Sequence, residues 1–331
     1  MDQGILSTIG NTPLIKLDRV LKDVPFRLFA KLEGFNPGGS IKDRPAINII
    51  RRAMRTGSIT PQTTIIESSS GNMGIGLAQV CSYLGLRFIC VVDQKTTAQN
   101  IRLLKTYGAE VDVIHKSDLH GRDFLQARIE RVRELLSKIK NSFSPNQYAN
   151  QANSDAHHQT MYEIAMELNG KVDYLFCATS TCGTIRGCAE YAQENGLGTK
   201  VYAVDAIGSV IFGARKADRL IPGHGAAIRP KLYKDDMADR VIRVSDLDCV
   251  VGCRRLAATE ALLAGGSSGA VMSAVEQASH EIHPGANCVM IFADRGERYL
   301  DTIYSDEWVS KHFGDVAHLW EAPEELLAGA A

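Results

Sequence analysis

The stretch Asn36-Pro-Gly-Gly-Ser-Ile-Lys42-Asp-Arg-Pro45 sets one lysine directly after a Pro-Gly-Gly turn, where a helix is expected to begin. Ser40 followed by Asp43 three residues on reads as a capping box, with Ser40 as the N-cap. Lys42 then falls in the first turn, beside unpaired backbone N–H groups and the positive end of the helix dipole. That setting, together with burial, disfavours the ammonium form and makes the amine a nucleophile suited to a Schiff base. A single lysine at a helix start is more often a solvated surface group. Gly-rich segments downstream shift the balance.

Working outward, 331 residues suggest two domains, and 45% hydrophobic with 23% charged residues allow a large core. A formal net charge of −1 gives no support to nucleic-acid binding. No apolar run reaches the ~18 residues needed to cross a bilayer, so no membrane partner is expected. Met1-Asp-Gln-Gly-Ile-Leu lacks the features of a signal peptide, and the expectation is a soluble cytoplasmic protein. The eight cysteines form no Cys-x-x-Cys pair and read as small buried hydrophobes in a reducing compartment. Cys249 and Cys253 share a helix face, but no further ligand lies at a matching spacing and no metal is expected. His157-His158 reads as a helix surface or a helix start.

Short β-rich runs at 27–32, 64–67, 88–92, 111–114, 174–178, 201–205, 241–244 and 288–292 alternate with helical patterns. The helices are expected at 44–54, 74–84, 98–107, 121–140, 155–168, 184–195, 246–264 and 269–283. Alternation with nearly continuous apolar strands predicts an α/β fold of mainly parallel sheets covered on both faces. Such folds bind ligands at the carboxyl ends of strands. A polar break at Asn141-Ser-Phe-Ser-Pro-Asn146 marks a domain crossing, and from Asp315 the chain reads as a loosely held tail.

Three further segments follow strands and open helices. In Glu67-Ser-Ser-Ser-Gly-Asn-Met-Gly74, small residues and helix N–H groups suit a carboxylate, and Asn72 can hold a ring hydroxyl. Ala178-Thr-Ser-Thr-Cys-Gly-Thr184 offers hydroxyls at a helix N-terminus, a cradle for phosphate without the lysine of a nucleotide loop. Ala264-Gly-Gly-Ser-Ser-Gly269 places Ser267 where it can meet a ring nitrogen. Together these form a pyridoxal 5'-phosphate site. Lys42 carries the cofactor, Asn72 meets its ring oxygen, and Ser180, Thr181, Cys182, Gly183 and Thr184 hold its phosphate. Ser267 meets the pyridine nitrogen; a hydroxyl there, unlike a carboxylate, favours loss of a β leaving group over transamination.

The chain resembles the fold-type II pyridoxal phosphate enzymes of the cysteine synthase and cystathionine β-synthase family. The likeness rests on Gly10-Asn-Thr-Pro-Leu14, residues 36–44, Ser69-Ser-Gly-Asn-Met-Gly74, Gly265-Gly-Ser-Ser-Gly269 and Gly296-Glu-Arg-Tyr-Leu300. It implies a tryptophan synthase β-like fold of two three-layer domains. Residues 1–40 with 146–314 would form the larger, cofactor-binding one, 41–145 a smaller mobile one closing over substrate, and 315–331 a tail. It further implies a homodimer acting on amino acids. Lys42 is its Schiff-base lysine. Ser69, Ser70, Gly71, Asn72 and Met73 bind the substrate α-carboxylate, with Gln147 assisting. Met73, Cys182 and Tyr148 depart from the sulfhydrylase pattern.

Asn146-Gln-Tyr-Ala-Asn150, residues 203–213 and Ala293-Asp-Arg-Gly-Glu-Arg-Tyr-Leu-Asp301 are similar to the N-(2-amino-2-carboxyethyl)-L-glutamate synthases of siderophore and antibiotic pathways. That likeness implies β-replacement, through an aminoacrylate, of the phosphate of O-phospho-L-serine by the amine of L-glutamate, a step towards 2,3-diaminopropionate. Tyr148 and Ser180 would add hydroxyls for such anionic substrates, and Arg44, Arg215, Lys216 and Arg229 the cations. The alternatives are a cysteine synthase using sulfide with O-acetylserine or O-phosphoserine, and a non-catalytic relative. Retention of Lys42, Asn72 and Ser267 argues against the latter.

Overall fold

The computed structural model describes residues 4–115 and 124–320. Two sheets form the frame. The larger is built from β1 (Leu14–Leu17), β2 (Arg27–Leu32), β7 (Tyr174–Ala178), β8 (Lys200–Ala206), β9 (Arg240–Val244) and β10 (Asn287–Phe292), in the order β1-β2-β10-β7-β8-β9. The smaller is built from β3 (Thr64–Ser68), β4 (Phe88–Asp93), β5 (Glu110–Ile114) and β6 (Ser142–Phe143), in the order β5-β4-β3-β6. Among the described strands, β1 and β2 pair antiparallel and the other pairings are parallel. Every residue of β3, β4 and β10 is buried, as strands covered on both faces must be.

The helices are α1 (Asp43–Arg55), α2 (Asn72–Leu84), α3 (Ala98–Thr106), α4 (Phe124–Lys138), α5 (Gln151–Glu167), α6 (Gly183–Glu194), α7 (Asp246–Glu260), α8 (Gly266–Gln277) and α9 (Asp306–Phe313). Glycines permit close helix contacts: a Cβ on Gly252 of α7 would lie 2.2 Å from the Gly269 carbonyl oxygen of α8, and one on Gly187 of α6 2.0 Å from the Ser154 carbonyl oxygen of α5. The eight expected strands are all present. The edge strands β1 and β6, four and two residues long, and the short helix α9 went unread because each is too brief to show a period. Helix α7 ends at Glu260 rather than 264, with Ala261 in the left-handed region and Ala264 bridged to Arg295. Residues 121–123 of the fourth expected helix lie outside the described residues.

Several local readings are corrected. Ser40 does not cap α1. The N-cap is Lys42, and the Asp43 carboxylate turns back to accept the Gly38 N–H at 2.5 Å, out of any capping box. The capping box that does form joins Ser245 and Asp248. His157 is buried in α5 rather than on a surface, and burial holds its imidazole neutral. Val316 and Trp320, at the start of the expected tail, pack on the larger core, and Arg254 lies over the Trp320 ring; 321–331 lie outside the described residues.

Arg44, expected beside a substrate, is enclosed between the two sheets' layers. Its Nε is 2.6 Å from Glu33 Oε2, and its Nη1 and Nη2 lie 2.7 and 2.6 Å from the oxygens of Glu163. Lys31 completes the cluster at 2.7 Å from Glu163. Burial would raise the Glu163 carboxyl, but these cations hold it down at about 2. The cluster fixes the start of α1 to β2 and α5. Replacing Arg44 by Ala leaves the enclosed Glu33 without its cation and Glu163 with Lys31 alone, and the expected loss is about 3–5 kcal/mol in denaturant unfolding. A variant of wild-type stability would contradict this structural role.

Candidate active site

A cleft of about 690 Å³ lies between the carboxyl ends of the two sheets' parallel strands. Lys42 borders it at the start of α1. Among the described residues its amine has no hydrogen-bond partner. Burial pushes its pKa below the ordinary lysine value, with Asp294 and Cys182 acting in the opposite direction. A neutral, unpaired amine is the form that attacks a carbonyl.

Helices α1, α2, α6 and α8 begin at this cleft, and Thr97, the N-cap of α3, borders it as well. In α1, α2, α6 and α8 the N-cap side chain does not bond back to the first turn. In α3, α5, α7 and α9 it does, through Thr97, Asn150, Ser245 and Ser305. At α2, α6 and α8 this leaves first-turn backbone donors for an anion, whereas at α1 the Asp43 and Arg44 N–H groups are taken by the carbonyls of Ser40 and Ile41.

At α2, Ser69, Ser70, Gly71, Asn72 and Met73 all border the cleft. The Ser69 hydroxyl accepts the Gly74 N–H at 2.9 Å, and Asn100 holds the Ser70 carbonyl at 2.9 Å. The Met73 side chain, by contrast, belongs to the core of the smaller sheet. At α6, Ser180, Thr181, Cys182, Gly183 and Thr184 line the opposite wall. Cys182 adopts φ 65°, a left-handed conformation unusual outside glycine. His157 Nε2 lies 3.3 Å from the Thr184 hydroxyl and Nδ1 3.2 Å from Thr160, so a neutral imidazole spans α5 and the α6 loop. Ser267, in the first turn of α8, Gln147 and Tyr148 complete the set.

The structure thus brings every expected site residue to the cleft except three, Arg44, Arg215 and Arg229. Arg44 faces the buried cluster. Arg229 is exposed, stacked over Tyr233 at 4.7 Å, and does not line the cleft. Of the neighbouring cations, Lys216 lines it and Arg215 does not. Arg128, on α4, also lines it, with Nε 3.3 Å from Asp93 Oδ2. Nothing in the sequence separates Arg128 from the other arginines of that helix. Asp294, Arg298 and Tyr299, at the end of β10, line the cleft too, and the run 293–301 was the signal for them.

An unpaired amine, open helix N-termini flanked by hydroxyls, an asparagine and a buried serine are the donor set that a phosphorylated pyridine aldehyde requires. The fit agrees with the comparisons. Residues 5–294 match the family described as "Pyridoxal-phosphate dependent enzyme", and the chain belongs to it. An N-(2-amino-2-carboxyethyl)-L-glutamate synthase of Ralstonia nicotianae is 45% identical over 93% of this chain and 91% of its own length. One from Cupriavidus metallidurans is 42% identical with the same coverage of both chains. Among solved structures, a hydrogen sulfide-producing enzyme from Fusobacterium nucleatum superposes with TM-score 0.85 at 33% identity, covering 91% of this chain and 98% of that one. An O-ureido-L-serine synthase does so with TM-score 0.86 at 26% identity, covering 99% of each.

Behind the α2 loop, burial pushes the Glu67 carboxyl up to about 7, against the favourable N–H groups of Ser68, Gln147 and Asn146. A carboxyl raised in the fold lends stability at acid pH that is lost as pH rises through its folded value. Glu67→Gln removes that dependence. The variant's stability relative to wild type should rise by roughly 2–3 kcal/mol between about pH 5 and pH 8 in unfolding titrations. A difference that does not change with pH would show that Glu67 titrates normally.

Proposed function

We propose that the chain condenses O-phospho-L-serine with L-glutamate, giving N-(2-amino-2-carboxyethyl)-L-glutamate and phosphate, a precursor step to 2,3-diaminopropionate and so to a siderophore or antibiotic. The observation that carries this is a cleft built for anions, with the open N-termini of α2, α6 and α8 and with Arg128 and Lys216 on its walls. The two synthase relatives, each aligned over 93% of the chain, support the choice of substrates.

Bound at Lys42, pyridoxal 5'-phosphate supplies an electron sink for charge at the α-carbon of an amino acid. The residues do the rest. Ser180, Thr181, Cys182, Gly183 and Thr184 hold its phosphate, Asn72 meets the ring oxygen and Ser267 the ring nitrogen. Ser69, Ser70, Gly71, Asn72 and the Met73 main chain take the substrate α-carboxylate, with Gln147 beside them. Lys42 Nζ, freed when the substrate amine takes its place on the cofactor, would remove the proton from the α-carbon and later return it. The Cβ–O bond to phosphate breaks, and a Cβ–N bond to the glutamate amine forms. Tyr148, Ser180, Arg128 and Lys216 offer hydroxyls and cations to the departing phosphate and the glutamate carboxylates. Arg44 and Arg229 have no part in this assignment.

The unit formed by 41–145 is proposed to close on the larger one, 1–40 with 146–314, and exclude water. A homodimer is proposed on the family likeness. A cytoplasmic setting is supported by eight cysteines that are all buried and free.

Mass spectrometry of the products from phosphoserine with glutamate or sulfide tests the reading. The glutamate adduct should form only with the intact chain, and Lys42→Ala should be colourless and slower by roughly 10³-fold or more. Efficient cysteine formation without the adduct would assign sulfide as nucleophile and overturn the choice of glutamate.

A further inference from the structure

Asn72 is gripped from two sides. Its Nδ2 donates to Asp294 Oδ2 at 2.8 Å, and its Oδ1 accepts from Arg298 Nη1. A guanidinium carries only donors and an ionised carboxylate only acceptors, so the carboxamide can seat one way round. Both partners are themselves fixed. Tyr299 donates its hydroxyl to the same Asp294 oxygen at 2.7 Å, and Arg298 Nη2 donates to the Gly38 carbonyl at 2.6 Å. Asp294 is 5% exposed, and its other oxygen is buried without a partner. That oxygen lies against Gly265, where a Cβ would come within 1.9 Å. Burial raises the Asp294 carboxyl, while Tyr299, Asn72, Arg298 and Lys42 oppose the rise. One N–H of Asn72 Nδ2 remains unused at the cleft that Lys42 also borders.

We propose that Asp294 and Arg298 are positioning residues that set the polarity of the Asn72 carboxamide, so that a donor and never an acceptor meets the ring oxygen of the bound cofactor. A donor there stabilises that oxygen as an anion, and the proton stays on the nitrogen of Lys42. The charge of Asp294, felt at the Lys42 amine, acts in the same direction. With the clamp broken, the amide can turn, its oxygen faces the ring oxygen, and the proton moves to the latter.

The test is the absorption spectrum of the substrate-free holoenzyme. The bound cofactor absorbs in the visible with the proton on nitrogen and in the near ultraviolet with the proton on the ring oxygen. Asp294→Asn can place either its oxygen or its NH2 at the position of Oδ2, which the Tyr299 hydroxyl can match as donor or acceptor, and so tolerates either orientation of Asn72. Arg298→Met releases the amide from its other side. Each should raise the near-ultraviolet to visible ratio by roughly 2- to 10-fold, the weight of one hydrogen bond. Tyr299→Phe leaves both contacts of Asn72 in place and should change the ratio less than either. A wild-type ratio in either substituted protein, with far-ultraviolet circular dichroism reporting a native fold, overturns the proposal. So does a Tyr299→Phe spectrum matching that of Asp294→Asn.

Discussion

Unsatisfied backbone donors at helix starts are the constraint on which the site depends. A helix leaves its first N–H groups without internal partners, and water or a side chain ordinarily takes them. Here α3, α5, α7 and α9 use the side chain of their N-cap, whereas α1, α2, α6 and α8 do not. Of the second group, α2, α6 and α8 bring open donors to the cleft, which the capped start of α3 also borders. Parallel strands produce this arrangement, because each strand ends at the edge where the next helix begins. The site is thus a property of the sheet topology, and the loop sequences refine it.

Lys42 and Arg44 show how neighbouring residues divide two tasks. Lys42 reaches the cleft with no hydrogen-bond partner among the described residues. Two positions on, Arg44 turns into the layer between α1, β2 and α5, where Glu33 and Glu163 take its guanidinium. A desolvated amine needs a rigid backbone, since movement towards water would restore the ammonium form. The enclosed ion cluster provides that rigidity within the same turn of chain. Asp43, between them, ties the helix start back to Gly38.

Much of this was legible in the sequence, for identifiable reasons. Buried parallel strands are continuous apolar runs, so 27–32 and 174–178 were read to the residue. Gly-rich loops before helices marked residues 69–73, 180–184 and Ser267. Side-chain direction was not legible. Arg44 lies in the family motif, yet one turn of helix aims it away from the cleft. Arg128 enters the cleft only because α4 packs across β3 and β4, a placement that no local pattern encodes. Ser40 and Asp43 have capping-box spacing, but Ser40 is bridged to Asp294 and the Asp43 carboxylate is taken by the Gly38 N–H. His157 and His158 read alike in the sequence, as a helix surface or a helix start, but only His158 is partly exposed, while the face of His157 packs on α6.

The account turns on Lys42 as the anchor of the cofactor. Reduction of the holoprotein with borohydride, followed by proteolysis and mass spectrometry, tests this most directly. The predicted result is a cofactor-derived mass on the peptide carrying Lys42 and on no other. The same mass on a different lysine, or an unmodified Lys42 peptide from a coloured and active preparation, would contradict it.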